Sequence, residues 1–196
     1  DIIGCAVGKG MTTKVNANIG TSPEICDIDI ELKKLQVAYE AGADTVMDLS
    51  TGGDLDEIRR TLIAASKIPI GSVPIYQLPY EARKNNKSFV ELKEKDFLKV
   101  IEKHFADGID FATIHCGINK KILKVLYKKK RICGVVSRGG SLVIEWMKYN
   151  NKENPLYEYF DEILNMAKEY DVCLSLGDGL RPGSILDATD EPQIFE

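Results

Sequence analysis

Short apolar, β-branched runs alternate with segments of helical periodicity along almost the whole of this chain, and that alternation restricts its fold more than any other property. The runs cover residues 13–19, 45–49, 68–75, 111–116, 134–137 and 172–176. Several are apolar on successive residues, the pattern of strands covered on both faces in a parallel sheet. Between them, residues 27–41 place Ile28, Leu32, Leu35 and Tyr39 along one helical face and end at Gly42. Residues 54–66 open with acids suited to a helix N-terminus and carry Leu55, Ile58, Leu62 and Ile63 inward. Further helices are predicted over 96–106, closed by Asp107 and Gly108, over 141–149, and over 155–170 with Pro155 in the first turn. Strand followed by helix, about six times and without a linker-like break, predicts a single α/β domain over residues 1–196, with parallel strands joined by right-handed crossovers.

An open doubly wound sheet and a (β/α)8 barrel of the TIM type both satisfy this pattern. The open sheet gathers its ligand groups at one topological switch point, whereas a barrel draws them from the ends of many strands. Here polar residues end nearly every run: Asn18, Asp48, Tyr76, His115, Ser137 with Arg138, and Asp178 with Arg181. The barrel is therefore predicted, with this chain supplying about six of its β/α units. Six strands leave it incomplete, and residues 187–196 read as the start of another helix, so the expectation is a piece of a longer protein.

Among 196 residues there is no apolar run near the roughly 18 residues of a membrane span, and residues 1–5 lack the basic flank of a signal peptide. A cytoplasmic protein without a membrane partner is expected. A net charge of -4 argues against a nucleic-acid footprint. The basic run at 120–131 carries Ile122, Leu123, Val125 and Leu126 at helical spacing; it reads as a solvated helix face, with an acidic partner as the alternative. Five scattered cysteines, Cys5, Cys26, Cys116, Cys133 and Cys173, form no C-x-x-C pair, which excludes a zinc knuckle. Cys133 and Cys173 lie in apolar runs and are expected to be buried, while Cys116 follows His115 at a strand end.

The strand ends carry the candidate chemistry. Asn16 and Asn18 are two residues apart, hence on one face of a strand, and each offers a donor and an acceptor to a heterocycle or phosphate; an Asn-Gly-type turn is the alternative. Residues 47–54 run Met-Asp-Leu-Ser-Thr-Gly-Gly-Asp into a helix, so their amides and hydroxyls can hold an anion, with Asp54 as N-cap; Met47 is either core or ligand contact. His115 ends an apolar strand and is the stronger of the two histidines as a site residue, because His104 falls in a helix and is expected at the surface. Ser137, Arg138 and the glycines after them, Gly139 and Gly140, make a phosphate cradle between strand and helix. In Gly177-Asp178-Gly179-Leu180-Arg181, the acid and base either pair with each other or divide a ligand between them, Arg181 on a phosphate and Asp178 on a ring nitrogen or hydroxyl. A phosphorylated small molecule across the barrel mouth fits these pieces.

In order along the chain, TKVNANIGTS, GADTVMDLSTGGD, PIGSVPIYQ, FATIHCG, VVSRGGS, ENPLYEYFDEI and LSLGDGLRPGSILDATDE resemble the phosphomethylpyrimidine synthases of thiamin biosynthesis, from about Lys14 to the last residue. The resemblance implies a (β/α)8 barrel and a noncanonical radical S-adenosylmethionine enzyme, a carbon–carbon lyase in outcome. Such an enzyme rearranges 5-aminoimidazole ribotide to 4-amino-5-hydroxymethyl-2-methylpyrimidine phosphate with release of formate and carbon monoxide. It implies substrate-binding roles for Asn18, Met47, Tyr76, His115, Ser137, Arg138, Gly139, Asp178, Gly179, Leu180 and Arg181, and a homodimer in the full-length protein. The family's [4Fe-4S] cluster and zinc are held by a C-terminal C-x-x-C-x-x-x-x-C motif and two later histidines, and a glutamate joins them; none of these lies in this chain. The polypeptide on its own is therefore expected not to turn over. Paralogues that make 5-hydroxybenzimidazole from the same ribotide are similar through this region, with residues 77–94 as a place where the two differ.

Overall fold

In the computed structural model, which describes residues 2–196, five strands and nine α-helices are found among the described residues. The strands are β1 (Asn16–Ile19), β2 (Thr45–Asp48), β3 (Ile70–Ser72), β4 (Phe111–Ile114) and β5 (Cys173–Leu176). The helices are α1 (Ile28–Glu40), α2 (Leu55–Ala65), α3 (Leu78–Lys84), α4 (Glu94–Ala106), α5 (Lys120–Lys128), α6 (Arg138–Asn150), α7 (Pro155–Glu158), α8 (Phe160–Glu169) and α9 (Glu191–Phe195). Asp27 and Asp54 cap α1 and α2, each accepting from two first-turn amides. Gly42 follows α1 at φ +87, a left-handed conformation that glycine adopts without strain. No helix among the described residues is long and apolar enough to cross a membrane.

All strand pairs are parallel and the order is β1-β2-β3-β4-β5. An order without reversal has no topological switch point, which removes the doubly wound alternative. The sheet is open, and its sequential order is consistent with part of a TIM-like barrel. The expected sixth strand is not formed. Residues 134–137 have no sheet partner, because β4 and β5 pair directly, Phe111 opposite Cys173 through Ile114 opposite Leu176, leaving no slot between them. Two helix boundaries also move. The helix predicted over 141–149 begins earlier, at Arg138, and the helix expected over 155–170 breaks at Tyr159 into α7 and α8.

Asn18, Met47, Gly71, Phe111 and Cys173 share a register row and hence one face of the sheet. The Phe111 ring lies directly over Gly71, and any side chain there would overlap it. The opposite face packs under the helices. Its larger core joins Phe97, Ile101 and Phe105 of α4 to Trp146 of α6 and Ile163 of α8. Trp146 is edge-on to Phe97 with ring centroids 5.5 Å apart, and its Nε1 donates to the Leu92 carbonyl at 2.8 Å. Burying each such side chain contributes roughly 1.5–3 kcal/mol. On α5, Ile122, Leu123 and Leu126 are buried while Lys121, Lys124 and Lys128 face solvent, as the solvated-face reading expects.

Two burial expectations are overturned. Cys133 and Cys173 are exposed, Cys133 because its segment has no sheet to join and Cys173 because β5 is an edge strand. His104, expected at the surface, is only 5% exposed. It follows Phe97, Val100 and Ile101 at helical spacing and so falls on the inner face of α4. There Ser72 Oγ lies 2.7 Å from its Nδ1 and Gln77 Oε1 2.8 Å from its Nε2. The same Nε2 lies 3.0 Å from Arg59 Nη1, and the Gln77 amide nitrogen donates to Asp56 and Glu81. Burial, reinforced by the adjacent Arg59 guanidinium, keeps the ring neutral well below the usual histidine range. Arg59, 2% exposed, also donates to Gln77 Oε1 at 2.7 Å and ion-pairs with Asp56 and Asp107. This network ties α2, α3 and α4 to the exit of β3.

Candidate functional site

The exits of β1 and β2 are braced by their own polar groups. Asn16 and Asn18 lie on one face as expected: the Asn16 amide donates to Asn18 Oδ1 at 3.0 Å, and Thr45 Oγ1 donates to Asn16 Oδ1 at 2.9 Å. The backbone after them is held by buried Glu31, whose Oε2 accepts from the Gly20 amide at 2.8 Å. Met47, in register with Asn18, is half-buried, and Thr113 Oγ1 approaches its sulfur at 3.9 Å. In the stretch expected to hold an anion, residues 47–54, the hydroxyls are engaged within the protein. Ser50 donates both its amide (2.9 Å) and its hydroxyl (2.5 Å) to Asp48, Thr51 donates its amide to the Thr21 carbonyl, and Thr21 Oγ1 donates to the Gly52 carbonyl. These bonds lock β1 to β2; burial meanwhile pushes the Asp48 carboxyl up, against the pull of Ser50.

The exit of β4 is different, because it ends in an imidazole pressed between two glycines. His115 is 3% exposed. A methyl built on Gly139 would lie 2.5 Å from each of its ring nitrogens, and one on Gly177 would lie 3.1 Å from Nε2. The two loops can approach the ring only as glycines. Burial, with Arg181 adding to it, lowers the His115 pKa to about 4, so the ring is neutral at physiological pH. Its Nδ1 is buried without a hydrogen-bond partner among the described residues. Such a group is unsatisfied until something polar reaches it.

Ser137 begins α6 as its N-cap, its Oγ accepting from the Gly140 amide at 3.1 Å. The Arg138 and Gly139 amides, which precede it in the first turn, find no protein acceptor among the described residues. The exposed Arg138 guanidinium stands 5.3 Å from the centroid of the Tyr76 ring, a cation–π contact that links the exit of β3 to the start of α6. Gly140 in turn abuts the backbone of Gly179, whose Cα would be 2.8 Å from a methyl on Gly140. The Ser137–Gly140 and Asp178–Arg181 segments, 40 residues apart, are thereby stacked beside His115.

In the second of these loops Arg181 donates to the Asp178 carbonyl at 3.2 Å rather than to its carboxylate, which is exposed. The expected acid–base pair within the loop is thus absent among the described residues. Leu180 is wholly buried in the main core, so it brings no side chain to a ligand. Asn18, Met47, Tyr76, His115, Asp178, Gly179 and Arg181 sit at or just beyond the C-terminal ends of the strands, whereas Ser137, Arg138 and Gly139 open α6 with no strand before them.

The profile of the radical SAM ThiC family matches residues 2–196. The chain belongs to the radical SAM ThiC family. Proteins named phosphomethylpyrimidine synthase are similar to it: one from Caldanaerobacter subterraneus subsp. tengcongensis is 56% identical over 190 residues, covering 97% of this chain and 44% of the relative. One from Pyrococcus abyssi is 54% identical over 191 residues, again 97% and 44%, and one from Methanopyrus kandleri 51% identical over 187 residues, 95% and 44%. The chain spans less than half the length of these relatives.

Radical SAM chemistry, which the ThiC family name carries, implies S-adenosylmethionine and an iron–sulfur cluster. Among the described residues no three His, Cys, Asp or Glu side chains come together as metal ligands, and Cys5, Cys26, Cys116, Cys133 and Cys173 are all free. These donors do not fit a cluster or a zinc site. Cys116 is half-buried, its thiol pushed up by burial, and lines a cleft with Gly117, Tyr157 and Glu196. Several residues that hold this candidate site together carry weaker sequence signals. Asn154 precedes Pro155, an Asn-Pro helix start, and its buried amide donates to the His115 and Ile118 carbonyls at 3.0 and 2.9 Å. Arg131, Asp187, Asp190 and Glu196 were legible only as surface charges, and all four turn inward onto loop backbone or onto each other.

Proposed function

We propose that this chain is the ribotide-binding part of a phosphomethylpyrimidine synthase, contributing to the conversion of 5-aminoimidazole ribotide to 4-amino-5-hydroxymethyl-2-methylpyrimidine phosphate. In this reading its five strands belong to a (β/α)8 barrel. The supporting observation is the stacking of the Ser137–Gly140 turn and the Asp178–Arg181 loop against one buried, neutral, hydrogen-bond-deficient imidazole. First-turn amides of α6 and the Arg181 guanidinium offer a phosphate its donors. His115 Nδ1 and the exposed Asp178 carboxylate offer partners for the heterocycle and sugar. S-adenosylmethionine, when bound with its cluster, supplies the radical; this chain's residues hold and orient the ribotide.

Anaerobic incubation of the complete gene product with reductant, S-adenosylmethionine and the ribotide should yield the pyrimidine phosphate. Formation of 5-hydroxybenzimidazole alone would assign the chain to the paralogous synthases, and an unconsumed ribotide would refute the reading. At the level of residues, Arg181→Ala should weaken ribotide binding by about 1.5–3 kcal/mol, the loss of a charged hydrogen bond. Unchanged affinity by calorimetry would remove Arg181 from the phosphate.

A further inference from the structure

The amides of Gly179 and Leu180 are consecutive and point the same way, the arrangement in which backbone N–H groups form an anion-binding concavity. The anion already there is a side chain of the protein. Glu196 accepts from the Gly179 amide through Oε1 at 2.7 Å and from the Leu180 amide through Oε2 at 2.6 Å, one oxygen for each donor. From the other side Arg131 Nη2 donates to the Leu180 carbonyl at 2.7 Å. Arg131 is itself fixed as a fork on Asp190, through Nε at 2.8 Å and Nη2 at 2.7 Å. Its side chain is 2% exposed, so the pair is held out of water. The Leu180 side chain is buried in the core, and Ile118 closes over Gly179 where a side chain would otherwise stand. The Gly179–Leu180 segment is thereby held through both amides, the Leu180 carbonyl and the buried Leu180 side chain, while Asp178 and Arg181 on either side stay outside the clamp.

We propose that Glu196 and Arg131 are positioning residues of the ribotide site, clamping the Gly179–Leu180 backbone so that Asp178 and Arg181 meet the ligand already in place. The inference rests on the ribotide-binding reading above. A loop held beforehand does not have to be ordered at the moment of binding, and that saving appears as affinity. The same geometry also defines the rival role: a carboxylate that merely fills a phosphate nest competes with the ligand, and its removal tightens binding.

The test is calorimetry and steady-state kinetics with 5-aminoimidazole ribotide on the complete gene product, comparing wild type with Glu196→Ala and Glu196→Gln. Glu196→Ala should raise Kd and KM about tenfold, with the loss falling on KM rather than kcat and with S-adenosylmethionine affinity unmoved. Glu196→Gln keeps one acceptor oxygen for two amides and should fall between. Unchanged or tighter ribotide binding in a folded Glu196→Ala protein would overturn the proposal. If that variant does not fold, wild-type affinity in Glu196→Gln would overturn it instead. A wild-type protein that does not bind the ribotide at all would sink the functional reading first and this inference with it, so the two failures are told apart by the wild-type measurement.

Discussion

Gly139→Ala offers the most direct test of how the site is packed. The new methyl would stand 2.5 Å from both ring nitrogens of His115, about 1 Å inside ordinary contact. The ring cannot retreat, because Gly177 already approaches it so closely that a methyl there would lie 3.1 Å from its Nε2 and 2.7 Å from the Thr113 methyl. Overpacking of this kind costs about 1–3 kcal/mol, and the blocked retreat places Gly139 at the upper end. Alanine is about 1 kcal/mol better than glycine in a helix, and Gly139 lies in the first turn of α6, so the net loss should be about 2 kcal/mol. Urea unfolding should show a lower midpoint with an unchanged slope. In a His115→Ala background the clash is gone, and Gly139→Ala should become neutral or stabilising, a coupling of about 2–3 kcal/mol. An equal effect of Gly139→Ala in both backgrounds would refute the account of this glycine as the imidazole's wall.

Two further perturbations address the buried charges. Arg59→Met removes the buried cation between Asp56 and Asp107, leaving Asp56 to Lys103 and Gln77 and Asp107 to the exposed Arg60, and should destabilise the protein by about 3 kcal/mol; a loss below 1 kcal/mol in urea unfolding would mean that Lys103, Arg60 and water, not Arg59, balance these carboxylates. For His115, whose pKa is about 4 in the folded protein, the unfolded chain takes up the proton first as pH falls from about 6.5. Its contribution to stability is therefore intact above pH 6.5 and declines between 6.5 and 4, by up to about 1.4 kcal/mol per pH unit. NMR titration of the ring should give a midpoint near 4, and a midpoint near 6.5 would show an open, solvated imidazole.

Much of the fold was legible because parallel strands announce themselves as apolar runs, and all five observed strands lie within predicted ones. Residues 134–137 failed because β propensity says that a segment suits a sheet, not that a sheet has room for it. Their neighbours Ile132 and Cys133 instead donate backbone amides to Asp187, which draws the segment toward the loops. The burial of His104 is readable in principle, since it continues the stripe of Phe97, Val100 and Ile101, but residue type points a lone polar side chain outward where its position turns it inward. Arg59 repeats the lesson between Leu55 and Leu62. At the site, strand-end position located the ribotide candidates, whereas Glu196 and Arg131 stayed hidden because they act on backbone groups far away in sequence, which no local pattern encodes.

The order β1-β2-β3-β4-β5 has a consequence for how the molecule is made. Each strand after the first hydrogen-bonds to the one synthesised immediately before it, so no strand has to wait for a later one to gain its first neighbour. Loop-closure entropy is met one crossover at a time, short between β1, β2 and β3 and longest between β4 and β5, where four helices intervene. As the chain leaves the ribosome, each new unit docks on an edge already waiting for it. The candidate rim is laid down in that same sequence, from Asn18 to Arg181, and Glu196, which accepts from the Gly179 and Leu180 amides, follows last.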